Sequence, residues 1–138
     1  MFKYAVRVEG DGREVVATLV DWPEVTVTCT AGPPHALREK LLQEIAACMR
    51  NRSWIPVPKA KPLTSFYVQL STSESLKVLV LNELHASGVD VRFVARDLGV
   101  SESEVIRAVD LGRSTDVDLL SEMLTVMGRR LLAYTSSI

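Results

Sequence analysis

Apolar and polar residues alternate over residues 2 to 9, FKYAVRVE, which predicts a β-strand. GDG at 10 to 12 reads as a hairpin turn. Glu14 to Val20 gives a second strand. Asp21-Trp22-Pro23-Glu24 reads as a turn, because Pro23 has no N–H to give a ladder. Val25 to Thr30, with Thr between Val, gives a third strand, and AGPP at 31 to 34 ends it. The period then lengthens. A helix is expected from about Pro34 to Arg50, with Leu37, Leu41, Leu42, Ile45 and Met49 as its apolar stripe and Arg38, Lys40, Gln43 and Glu44 outside. After the proline-rich segment NRSWIPVPKAKPLTS, Phe66 to Ser71 suits a fourth strand.

From Thr72 the pattern is helical. Ser73 is placed to cap a helix reaching about Ala86, with Leu76, Val78, Leu79, Leu81 and Leu84 as core, and Gly88 to stop it. Ser114 or Thr115 is placed to cap a last helix, carrying Leu119, Leu120, Met123, Leu124 and Met127 and ended by Gly128. Arg129 to Thr135 has the length of a final strand that pairs between copies. The expected fold class is α+β: a small β-β-β-α-β unit over residues 1–70, then a helical unit over 71–138.

Between these helices lies VRFVARDLGVSESEVIRAVD, residues 91 to 110. Gly99 suits the left-handed end of one short helix and Ser101 the cap of the next, with Glu104 three residues on as in a capping box. Small Ala95 lets two helices cross closely, while Val94, Leu98, Val105, Ala108 and Val109 face inward. Glu102, Ser103, Ile106, Arg107 and Asp110 are left outward. This spacing is that of a helix-turn-helix, whose second helix enters a DNA major groove. The competing reading is a plain helical hairpin.

Charge alters that picture. The whole chain carries a formal net charge of −1, and residues 71–138 hold seven Lys or Arg against ten Asp or Glu. An acidic unit neutralises phosphates poorly, so one copy is expected to bind DNA weakly and two copies on a palindromic site to bind well. Arg107 is the expected base reader, Ser101 and Ser103 contact phosphate or base edges, and Ile106 touches a thymine methyl. Arg113, with Ser114 and Thr115 at a helix start, is expected to hold the backbone.

Other chemistry is thinly signalled. Asp21 and Glu24 invite a metal-dependent nuclease reading, but further converging carboxylates are wanting, so no catalysis and no metal are expected. His35 and His85 sit in no nucleophile motif, and a cationic His85 would suit a helix end. No phosphate-binding glycine motif occurs, so no cofactor is expected. Cys29 and Cys48 read as reduced thiols. With neither a signal peptide nor a long apolar run, the expectation is a cytoplasmic protein without membrane contact.

Taken in order, the Asp21-Trp22-Pro23-Glu24 turn, Ile55-Pro56-Val57-Pro58, Lys77-Val78-Leu79 before Asn82, Val94-Ala95-Arg96-Asp97-Leu98-Gly99-Val100-Ser101, Arg107 and Thr115 resemble the HicB family of type II antitoxins. The resemblance covers nearly the whole chain. It implies an N-terminal domain related to a partial ribonuclease H fold that blocks a HicA-type ribonuclease toxin, with Asp21, Trp22, Pro23 and Glu24 as toxin-contacting residues. It also implies a C-terminal domain that dimerises and represses its own operon at operator double-stranded DNA. The chain departs from the family where a Gly-Asp-Thr-like turn leads into the first helix: Cys29-Thr30-Ala31-Gly32-Pro33-Pro34 stands there. Two other readings remain open. One is a ligand-sensing repressor with no toxin, and the other is a minimal nuclease.

Overall fold

The computed structural model describes residues 1–30, 33–62 and 66–138, without the side chains of Pro33 and Pro34. Four strands, β1 (Lys3–Glu9), β2 (Val15–Leu19), β3 (Thr26–Cys29) and β4 (Tyr67–Gln69), form one antiparallel sheet in the order β3-β2-β1-β4. Register follows the alternation in the sequence. Tyr4 lies opposite Val68, Val6 opposite Leu19, and Val8 opposite Ala17. Helix α1 (Pro33–Asn51) covers that face with Leu37, Leu41 and Ile45, all fully buried. The alternate positions, among them Lys3, Arg7, Thr18 and Thr26, lie on the opposite face.

Four helices follow: α2 (Thr72–Ser87), α3 (Val91–Leu98), α4 (Glu102–Val109) and α5 (Val117–Val126). The chain is therefore α+β, as its pattern predicts. One cluster of buried side chains runs from Tyr4 in the sheet to Leu124 in α5. Helix α2 ties the two ends of that cluster together. The Asn82 side chain accepts from Ile55 N at 2.8 Å and donates to Ile55 O at 2.9 Å. Arg38 of α1, expected outside, donates to Gln69 O at 2.9 Å and to Glu74 at 2.6 Å.

Several boundaries differ from the sequence reading. Ser71, not Ser73, caps α2: its hydroxyl accepts from Glu74 N and its own N–H donates to the Glu74 carboxylate, closing a full capping box. That bond removes Ser71 from the fourth strand, which shortens to Tyr67–Gln69. Leu79 is half exposed, while Lys77 and Asn82 are buried. Because α2 is packed on more than one side, polar residues share its interior. Asp116, rather than Ser114 or Thr115, caps α5 through Leu119 N. All three residue types cap well, and only the chain path selects one. In the single chain residues 129–138 form no regular element. A strand needs a ladder partner, and one that pairs between copies takes it from the second copy. Ala31 and Gly32 of the strand-ending turn lie outside the described residues.

Candidate functional site

The segment from α3 to the start of α5 is built on three devices. The first is the turn. Asp90 caps α3 by accepting from Arg92 N, and Gly99 ends it at φ 68°, a left-handed conformation that costs most residues a Cβ clash. Val100 N then bonds Ala95 O at 3.0 Å. Ser101 caps α4 by accepting from Glu104 N at 3.1 Å. The reciprocal half of the capping box is not formed; the Glu104 carboxylate instead accepts from the Ser101 hydroxyl at 3.4 Å.

The second device is the crossing of α3 and α4. Val94, Ala95, Val105, Ala108 and Val109 are buried and Leu98 is half-buried, as their spacing predicts. What remains outward on α4 is Glu102, Ser103, Glu104, Ile106 and Arg107. Arg107 has no ion pair among the described residues. Glu102 lies 3.7 Å from Arg92 of α3, so a cation partly offsets one of the two acids on this helix.

The third device was not legible as function. Lys77 of α2 is 1% exposed, yet its ammonium donates to Asp110 O at 2.7 Å, Arg113 O at 2.7 Å and Ser114 O at 3.3 Å. Burial pulls its pKa below the ordinary lysine value, opposed by Asp110 and Glu74. Asp110 adds a bond from Gly112 N. The loop that presents Arg113 and Ser114 is thus held from beneath by one buried cation. Both side chains are exposed and Thr115 is half-buried. With Asp116 at the cap and Asp118 in the first turn, the α5 N-terminus beside Ser114 and Thr115 is acidic.

The Asp21-Trp22-Pro23-Glu24 turn divides. Asp21 accepts from Lys59 N at 2.7 Å and Ala60 N at 2.8 Å, so its carboxylate holds the 59–60 backbone. Trp22 is buried in the core. Pro23 and Glu24 are exposed.

At the end of α2, the sequence expectation for His85 is reversed. Its Nδ1 is buried without a hydrogen-bond partner. Burial lowers its pKa and Arg52 lowers it further, against an opposing backbone bond at Ser53. The unfolded chain therefore takes up the proton first. The stability carried by neutral His85 is complete above about pH 6.5 and is lost as pH falls through the lower folded value. For Glu74, burial raises the pKa, but hydrogen bonds from Arg38 and Ser71 outweigh it, so its window lies below 4.5. Urea midpoints are expected to fall between pH 7.5 and 5, and His85→Leu to flatten that decline. An unchanged slope in the variant would exclude His85 as the cause.

No family model matches the chain. Individual relatives do. It is 32% identical over 117 residues to "Antitoxin HicB 1" of Photorhabdus laumondii, covering 81% of this chain and 74% of that one. The chain belongs to the HicB antitoxin family. "Antitoxin HicB 2" of the same organism is 26% identical over 134 residues, covering 94% and 93% of the two chains. "Antitoxin HicB" of Escherichia coli K12 is 24% identical over 118 residues, covering 84% and 86%. These matches bear out the sequence resemblance. A match over 134 residues spans both the sheet and the helices, so HicB membership rests on their combination rather than on the α3–α4 motif alone.

Proposed function

We propose that this HicB-family chain is an antitoxin that neutralises a HicA-type ribonuclease toxin by direct binding and represses its own operon. The observation that carries the reading is the match to HicB antitoxins across both halves of the chain. On this reading residues 1–70, with a partial ribonuclease H-like relationship, form the toxin-binding unit, and residues 71–138 form the helix-turn-helix and dimerisation unit. Its role is regulatory rather than enzymatic. No helix of the described residues is long and apolar enough to cross a membrane, which suits a cytoplasmic repressor.

In the DNA complex α4 lies in the major groove. Arg107 reads a base edge, Ile106 meets a thymine methyl and Ser103 contacts a phosphate or base edge. Ser101, whose hydroxyl is engaged in capping, contributes there through its place at the helix start. Arg113, Ser114 and Thr115 touch the backbone from the Lys77-braced loop. Toxin contact falls to exposed Pro23 and Glu24, with Asp21 and Trp22 holding the turn's shape. A partner copy supplies the second half-site that an acidic unit needs.

The test is inhibition of a HicA-type ribonuclease by the purified full chain. Near-complete inhibition at about equimolar protein is expected, and Glu24→Lys is expected to weaken it roughly tenfold, the loss of about one favourable contact. Full toxin activity at a large molar excess of the wild-type chain would refute the antitoxin reading.

A further inference from the structure

A groove of about 490 Å³ lies between the end of α1, the end of α2 and the faces of α3 and α4. That volume is in the range of small-molecule sites. Leu81 and Leu84 of α2 line it beside Val105 and Ile106 of α4. Its polar groups are few and unevenly matched. His85 borders it and carries the buried, unpartnered Nδ1. Arg50 and Arg52 border it too, are exposed, and have no ion pair among the described residues. The one acid on the rim is Asp90, whose carboxylate caps α3.

We propose that this groove binds a small amphipathic organic anion. The apolar walls take its hydrocarbon body. The two guanidinium groups outnumber the single capping carboxylate and select negative charge over positive. Because Val105 and Ile106 form part of the wall, an occupant bears directly on α4. That consequence rests on the assignment of α4 to DNA; the site itself does not.

The probe is 1-anilinonaphthalene-8-sulfonate, which combines an apolar ring system, an N–H and an anionic group. Fluorescence titration of the full chain is expected to saturate at one equivalent. Amide resonance shifts are expected to centre on residues 81–91 and 105–109. Arg50→Ala with Arg52→Ala, both surface changes, is expected to weaken binding at least fivefold. Unsaturable binding, shifts outside those segments or unaltered affinity in the arginine double variant would overturn the site. Groove resonances that move on dilution of the ligand-free protein, and stop moving when residues 129–138 are deleted, would assign the groove to a second copy and likewise overturn it. Unchanged operator affinity at saturating probe would overturn only the link to α4.

Discussion

Arg107→Ala is expected to abolish operator binding while leaving toxin neutralisation intact. Arg107 is exposed on α4 and has no ion pair among the described residues, so its removal disturbs no internal bond. A bidentate base contact is worth about 1–3 kcal/mol, and a dimer makes it twice, giving a loss of about 2–6 kcal/mol. Glu102 does not replace it, since its carboxylate faces Arg92 and would repel phosphate. Gel-shift titration against the operator, beside a toxin-inhibition assay on the same preparation, separates the two activities. Equal operator affinity in variant and wild type would remove Arg107 from the DNA surface. Loss of both activities together would mean that the substitution damages the fold.

The second large effect belongs to Lys77. Lys77→Met keeps most of the volume of a fully buried side chain but strips three carbonyls of their donor. Unmade buried bonds cost about 1–3 kcal/mol each, offset in part because the loop can recruit water. A net destabilisation of about 3 kcal/mol is expected from urea denaturation, given that charged-group bonds are the strong ones. The variant should also bind the operator with a shallower dependence on salt, because Arg113 is no longer fixed near a phosphate. An unchanged salt slope beside normal stability would show that the brace is dispensable.

Much of this was legible in the sequence, for reasons that differ by element. Gly99, Ser101 and the inward run of Val94, Ala95, Val105, Ala108 and Val109 agree at close range, so the α3–α4 crossing follows from local chemistry alone. The sheet follows from alternation. Lys77 and Asn82 stand among the residues of the family resemblance, but their burial was not legible, because what makes a buried polar residue tolerable is a partner far along the chain. For Lys77 those partners lie 33 to 37 positions away, and for Asn82 they lie 27 away. The caps at Ser71 and Asp116 were missed narrowly, since neighbouring serine, threonine and aspartate compete on equal terms. The groove was not legible at all: its walls come from four helices, and no single segment carries its shape.

Asn82 leaves one more consequence. Its carboxamide gives and takes a hydrogen bond with the same residue, so it completes a rung with Ile55 as a strand neighbour would. Aspartate would keep the acceptor and lose the donor, leucine would lose both, and glutamine would overreach by a methylene. The seam between sheet and helices therefore hangs on a functional group with no conservative substitute. Hydrolysis of that one amide to an acid, a slow chemical injury of ageing proteins, would turn the seam's own carbonyl against it.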